Sequence, residues 1–362
     1  MGLGTTILRS KAVAALTFPQ GVDRYLEQVN PMWAAHEVRA RIVDVHREVD
    51  VPGHPPVATI TLQPTSTWGG HRAGQHVQLG VEVDGSRRTT RVFTISSPDS
   101  RAGDRFTVTL RANPDGVVSR FLVERATPGT MVHLSQAQGE FVLPDQVPEH
   151  VLFISGGSGI TPVMSMLRSL QRRTHRGRVT FLHYAQSPEH QIFAAELDEI
   201  RRSGHGIDVH LLHPELGDPN LSPAFLERLV PGFRDVPTWA CGPAPMIEAV
   251  RAAYGDSEAP STTLSVEYFQ PPRTSGTSAE GDVAFARSGQ EAPNSGATLL
   301  EQAEALGLKP EFGCRMGICF SCTAVKKAGT VKNVLTGEES SAQEEEIRVC
   351  VSAPVGDCVV DL

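Results

Sequence analysis

At 362 residues the chain is long enough for two or three domains, each with its own core, and its 40% hydrophobic and 20% charged composition is that of an ordinary water-soluble protein. No apolar run approaches the ~20 residues of a membrane span, so contact with a membrane would have to come through a membrane-bound partner. A net charge of −8 lacks the basic footprint that nucleic-acid binding requires.

Residues 1–36 read as an N-terminal arm, partly helical and broken by proline, ending at Asn30-Pro31-Met32-Trp33. From 37 to 147 short strands recur at 40–45, 58–62, 76–81 and 106–110 between Gly and Pro turns, a spacing that predicts an antiparallel barrel. Within it Arg91-Val92-Phe93-Thr94 sets Arg91 and Phe93 on one face and Val92 and Thr94 on the other. An exposed arginine on a half-buried strand is common, so this segment alone decides nothing. The turn Gly116-Val117-Val118-Ser119 offers backbone N–H groups and a hydroxyl leading into a helix, a place where an anion can sit.

The texture changes over 148–269. Val151-Leu152-Phe153-Ile154 is a continuous apolar strand, followed by a Gly-rich turn, a helix with Val163, Met166, Leu167 and Leu170, and a second strand at 179–182. Strand, helix, strand in that order predicts a parallel α/β domain. The turn contains Gly156, Gly157, Gly159, Thr161 and Pro162. Its glycines let a ligand approach the backbone, and Pro162 suits the first turn of a helix whose unpaired N–H groups favour an anion. Because the spacing is not GxGxxG, a pyrophosphate cradle and a tight structural turn both fit it. Cys241-Gly242-Pro243 puts a small thiol and a Gly-Pro turn at the carboxyl edge of the sheet, where open α/β sheets bind ligands. A lone cysteine there also fits as a small buried hydrophobe.

Residues 270–281 have the composition of a linker, and 282–362 form a third segment. Here Cys314, Cys319, Cys322 and Cys350 make a C-x4-C-x2-C run with one distant partner, the plant-type spacing for a 2Fe-2S cluster. Gly317 lets the loop bend around the cluster, and Cys350 is expected from a separate strand over 349–351. Zinc would more naturally take two short cysteine or histidine pairs, and disulfides are rare in long cytosolic chains. From Gly276 onward there are thirteen acids against seven bases, which accounts for six of the eight net negative charges. Each acid alone reads as solvated surface, but together they suit docking to a basic partner.

In this order the pieces resemble the ferredoxin-reductase superfamily, specifically reductase components with a flavin barrel, a nicotinamide domain and a C-terminal plant-type ferredoxin. The resemblance spans about residues 37 to 362. It rests on Arg91-Val92-Phe93-Thr94, Gly116 to Ser119, Gly156 to Pro162, Cys241-Gly242-Pro243, Glu267-Tyr268-Phe269 and the four cysteines. The arm, with Asn30-Pro31-Met32-Trp33 leading into Glu37-Val38-Arg39, resembles that of actinobacterial reductases serving acyl-CoA desaturases. The family implies an antiparallel flavin-binding barrel, a parallel α/β nicotinamide domain and a β-grasp ferredoxin domain.

The resemblance also implies roles. Arg91 would pair with a flavin phosphate, Thr94 would bond near the reacting edge of the flavin, and Gly116, Val117, Val118 and Ser119 would hold the pyrophosphate. Gly156, Gly157, Gly159, Thr161 and Pro162 would hold the nicotinamide dinucleotide, with Cys241, Gly242 and Pro243 beside its ring and Phe269 near the flavin. Phe93 stands where tyrosine is commoner, which keeps the packing and loses one hydrogen bond.

Electron counting then sets the expected function. NAD(P)H delivers electrons in pairs and a 2Fe-2S cluster takes one at a time, and FAD reconciles the two. The expectation is an NAD(P)H-dependent FAD/2Fe-2S reductase, monomeric and cytoplasmic, passing electrons to a fatty acyl desaturase. The alternatives are the reductase of a ring-hydroxylating or alkane oxygenase or hydroxylase and, in another class, a redox sensor or scaffold without turnover.

Overall fold

Alternation of apolar and polar residues builds the first sheet, as in Val57–Pro64, where Ala58, Ile60 and Leu62 point inward and are fully buried. The computed structural model describes Val13, Thr17 and residues 21–83, 85, 88–204, 206–255, 263–269, 280–313, 315, 317 and 320–362. Most of the expected linker, 270–279, lies outside the described residues. The chain forms two compact units, residues 1–242 with 246–267, and residues 243–245 with 268–362.

Among the described residues the first unit opens its regular structure with α1 (Val22–Val29), which belongs to the arm. The Asp23 carboxylate accepts from the amides of Ala35, His36 and Glu37 at 2.5, 3.0 and 3.3 Å. Arg39 is fully buried, ion-paired to Glu27 at 2.8 Å and donating to the Trp33 carbonyl at 2.6 Å. A buried guanidinium is tolerated only with such partners. The arm is therefore bolted to the barrel.

Next come β1 (Val38–Val49), β2 (Val57–Pro64), β3 (Gly70–His71), β4 (His76–Val81), β5 (Thr89–Thr94), β6 (Ser100–Arg101), β7 (Phe106–Arg111), α2 (Val117–Arg120) and β8 (Met131–Leu134). The main sheet runs β5-β4-β8-β1-β2-β7, and β3 pairs with β6 apart from it. A bridge between Ile95 and Val108 and a bond from the Ser96 amide to the Thr107 carbonyl at 2.8 Å close β5 onto β7. The expected antiparallel barrel is present, and the helix expected after Gly116 runs from Val117 to Arg125, its last turn widened.

The same unit then adds β9 (His150–Gly156), α3 (Ile160–Arg172), β10 (Arg178–Tyr184), α4 (Ala194–Ser203), β11 (Ile207–Leu212), α5 (Pro223–Leu229), β12 (Thr238–Gly242), α6 (Ala244–Tyr254) and β13 (Leu264–Tyr268). The sheet order is β11-β10-β9-β12-β13, with β9 parallel to both β10 and β12. The strand order reverses between β9 and β12, which makes their carboxyl ends the crevice of the sheet. Val163, Met166, Leu167 and Leu170 of α3 are buried against β9 as the pattern predicts.

The second unit carries β14 (Asp282–Phe285), β15 (Gln290–Pro293), α7 (Leu299–Ala305), β16 (Thr323–Asn333), β17 (Glu339–Ser340), β18 (Glu345–Arg348) and β19 (Ser352–Val360). The order is β15-β14-β19-β16-β17, with β18 also on β16. Thr298 and Glu301 cap α7 reciprocally. The strand expected at 349–351 is instead a turn. Val351 N donates to Arg348 O at 3.0 Å, because the chain must leave one edge of β16 to pass from β18 to β19, which pairs with the opposite edge in the same direction.

Candidate redox sites

The Gly-rich turn and the Cys-Gly-Pro turn meet. A Cβ on Gly159 would stand 2.5 Å from the Cys241 carbonyl carbon and 2.7 Å from Gly242 Cα. A Cβ on Gly242 would stand 3.1 Å from the Gly156 amide nitrogen. Glycine at 159 and 242 is what lets the two turns touch at the crevice. Gly157, at φ +54° with open space where a Cβ would stand, is half-buried at the crown of the turn. Thr161 is buried and its hydroxyl donates to the Ser158 carbonyl at 3.0 Å, while Pro162 sits in the first turn of α3.

Cys241 is fully buried, and burial together with the Glu267 carboxylate pushes its pKa well above the ordinary thiol value. It stands as a neutral thiol at the end of β12, in register with Ser155 of β9. The Ser155 hydroxyl meets His183 Nδ1 at 2.8 Å, and burial, then His213, draws the pKa of His183 down to about 3. The Cys241 thiol and the His183 imidazole are therefore both neutral, with the Glu267 carboxylate as the charge beside the thiol.

On the barrel, Arg91 and Phe93 lie opposite the core residues Leu79 and Val77 across β4, so the expected alternation holds. Arg91 donates to the Thr90 carbonyl at 2.8 Å and remains half exposed, while Thr94 is buried at the strand end. At Gly116 a Cβ would press on the Ser119 hydroxyl and on Asn113, and the Asn113 amide donates to Ser119 Oγ at 3.1 Å. Val117 is exposed and Val118 buried. Phe269 follows β13 and is half-buried.

In the second unit, Cys314 and Cys319 lie outside the described residues. Cys322 and Cys350 are buried, and the Cys322 carbonyl accepts from the amide of Val349, next to Cys350, at 3.2 Å. Gly317, at φ +73°, has no room for a Cβ because Val351 Cγ2 would be 2.9 Å away. Arg348 donates to its carbonyl and lies over the Phe320 ring at 4.9 Å, and Arg315 pairs with Glu304 of α7. Buried thiols under a tightly folded, backbone-rich loop fit thiolate ligation of a cluster.

Three family models match in the same order: an oxidoreductase FAD-binding domain over residues 57–143, an oxidoreductase NAD-binding domain over 153–252 and a 2Fe-2S iron-sulfur cluster binding domain over 284–355. A NADPH oxidoreductase of Mycobacterium tuberculosis is 38% identical over 97% of this chain and 91% of its own length. The chain belongs to the ferredoxin-reductase superfamily. It is an NAD(P)H-dependent reductase that carries FAD and a C-terminal 2Fe-2S cluster. The glycine betaine monooxygenase reductase subunit of Pseudomonas aeruginosa is 30% identical over 80% of the reductase and 87% of that protein. Phthalate dioxygenase reductase shares the fold, with a TM-score of 0.58 over 90% of this chain and 97% of its own at 23% identity.

Two features of the reductase escape the sequence reading. The carboxylate of Glu267, noted only as a neighbour of Phe269, acts on the Cys241 thiol. The acids at 344–346 are not one solvated patch. Glu345 pairs at 3.3 Å with the fully buried Lys326, whose ammonium also donates to the carbonyls of Gly329, Ser340 and Ala342, and Glu344 pairs with Lys327 at 3.1 Å. Glu346 is exposed and, with Glu311 and Asp361, lines a groove that runs past Cys322.

Proposed function

We propose that this reductase serves an oxygenase, taking electrons from NAD(P)H and delivering them from its own cluster to a separate oxygen-activating component. The observation that carries the reading is the meeting of the Gly156–Pro162 turn with Cys241-Gly242 at the crevice of the sheet, on a chain that also holds buried cluster-type cysteines. Arg91 holds a flavin phosphate and Phe93 packs on the flavin. Gly116, Val117, Val118 and Ser119 hold the pyrophosphate. Gly156, Gly157, Gly159, Thr161 and Pro162 receive the coenzyme phosphates, and the neutral Cys241 thiol borders the nicotinamide. Thr94 orients the reacting edge of the flavin, and Cys314, Cys319, Cys322 and Cys350 ligate the cluster.

FAD supplies the conversion from electron pairs to single electrons. The protein binds, orients and keeps water out, and no side chain has to exchange a proton with a substrate. Relatives named as reductase subunits of oxygenase systems support an oxygenase over the desaturase expected from the arm. The test is coupled turnover: with NADPH or NADH, the holoprotein should drive product formation by an oxygenase component. Turnover with an acyl desaturase and with no oxygenase would reverse the reading.

A further inference from the structure

Four polar side chains run along one face of α3 at helical spacing, Ser165, Arg168, Ser169 and Arg172, and all of them engage the segment Ser96–Asp99, which begins two residues after Thr94. The Ser165 hydroxyl donates to the Ser97 carbonyl at 2.5 Å and accepts from the Gly74 amide at 3.3 Å. Arg168 donates to the Ser96 carbonyl at 2.6 Å, grips Glu196 of α4 through two bonds at 2.9 and 2.5 Å and stacks over Phe193 at 4.4 Å. Ser169 accepts from the Asp99 amide at 2.9 Å, and Arg172 holds the Asp99 carboxylate at 3.0 Å. Ser165 and Ser169 are fully buried.

The other side of the segment is fixed as well. Ser96 Oγ meets the hydroxyls of Thr107 and Thr109 at 2.9 and 2.8 Å, and the Thr107 amide donates to Ser97 Oγ at 3.0 Å. The segment is thus a strut with one end on the strand of Thr94 and its flank on the helix that starts at Gly159-Ile160-Thr161-Pro162. Hydroxyls and a guanidinium on a helix that otherwise packs apolar side chains must each be satisfied, and each of these makes a bond to the backbone of residues 96–99. Apolar residues would join barrel and sheet as firmly but would tolerate sliding, whereas directional bonds to named carbonyls and amides fix register.

We infer that Ser165, Arg168 and Ser169 are positioning residues for hydride transfer, locking the Thr94 strand at a set distance and angle from the coenzyme turn. The inference rests on the proposed flavin and coenzyme assignments. A loosened seam would leave each ligand bound by its own sheet and degrade only their mutual alignment, the quantity to which near-attack geometry is most sensitive.

The test uses the full-length holoprotein as Arg168→Ala, Arg168→Lys and the double variant Ser165→Ala/Ser169→Ala. Anaerobic stopped-flow mixing with NADPH and with NADH gives the limiting rate of flavin bleaching and the apparent Kd for the coenzyme. Amide exchange over 72–75 and 96–99 and flavin content are measured on the same samples. Misalignment on the ångström scale predicts a limiting rate lowered about 10- to 100-fold in Arg168→Ala and in the double variant. Apparent Kd stays within roughly threefold, because binding and chemistry are separated in this readout. Flavin content is unchanged, and the Asp99 and Gly74 segments exchange roughly tenfold faster in the double variant. Arg168→Lys, able to keep only part of the fork, falls between. A limiting rate at the parent value despite faster exchange overturns the inference. So does loss of flavin from both the alanine variant and the double variant, which would make the seam a folding support. A parent protein whose flavin neither coenzyme reduces removes the reading beneath, and the inference with it.

Discussion

Gly159→Ala isolates the contact between the coenzyme turn and the end of β12. Gly159 lies at φ −63°, which alanine adopts freely, so the substitution adds a methyl group and no backbone strain. That methyl would collide with the Cys241 carbonyl oxygen and stand 2.5 Å from its carbon, where ordinary contact begins at 3.4 Å, so turn and strand must part by about 1 Å or more. The obstacle is backbone on both sides, which cannot rotate away. Overpacking of this kind costs roughly 1–3 kcal/mol of stability, and a displacement near 1 Å at the coenzyme turn should slow hydride transfer on the order of 100-fold.

Gly204→Ala, just after α4 and outside the coenzyme turn, is the matched control. Its φ of +64° costs about 1–2 kcal/mol for a non-glycine residue, but nothing lies within 4 Å of the added methyl. The two variants should lose similar stability in urea, while only Gly159→Ala loses most of the NAD(P)H-driven flavin reduction, measured by anaerobic stopped flow. Equal rates in the two variants would refute the claim that this contact sets the coenzyme site.

Arg91→Ala should weaken flavin binding roughly tenfold or more, the 1.5–3 kcal/mol of a charge-assisted contact; flavin retained through dialysis as in the parent would put the flavin phosphate elsewhere. His71 is buried, with Ser100 Oγ donating to its Nδ1 at 2.7 Å, and burial lowers its pKa from 6.5 to about 4. With His183 lowered to about 3, the folded state refuses protons that the unfolded chain takes up below pH 6.5, so stability falls as pH drops from 6.5 toward 4, by up to about 1.4 kcal/mol per unit for each histidine. Urea midpoints at pH 7.5 and 5 should converge in His71→Gln/His183→Gln, and a slope equal to the parent's would count against this origin. Glu311→Lys with Glu346→Lys reverses the groove beside Cys322 while sparing the Glu345–Lys326 pair. It should slow reduction of the oxygenase and weaken its salt dependence, leaving dye reduction intact; partner reduction insensitive to both salt and reversal would make these acids solvated surface only.

Local periodicity and punctuation made much of this protein legible. The strands over 58–62 and 76–81 alternate, the strand over 151–154 is continuously apolar, and α3 repeats its apolar residues at helical spacing, so each declared its type. The cysteine spacing named its cofactor because three ligands must come from one short loop. What stayed hidden depends on distant segments meeting. Nothing local says that Gly159 touches Cys241, that Lys326 is buried beneath Glu345, or that Asp23 caps the entry to β1. The turn at 349–351 reads Val-Cys-Val, which favours a strand, and loses to the need to cross from one edge of β16 to the other between β18 and β19. One signal was available and missed: serines at 165 and 169 with Arg168 between them are out of place on a buried helix face unless something polar lies opposite.

Electrons move through this one chain in a fixed order. Anaerobic mixing of the holoprotein with NAD(P)H, followed at flavin and cluster wavelengths, should show flavin bleaching first and cluster bleaching second. In Cys322→Ser the second phase and the 2Fe-2S absorbance should vanish while the first phase and bound flavin persist. Cluster reduction that precedes flavin reduction, or a Cys322→Ser protein that keeps its cluster signal, would contradict it.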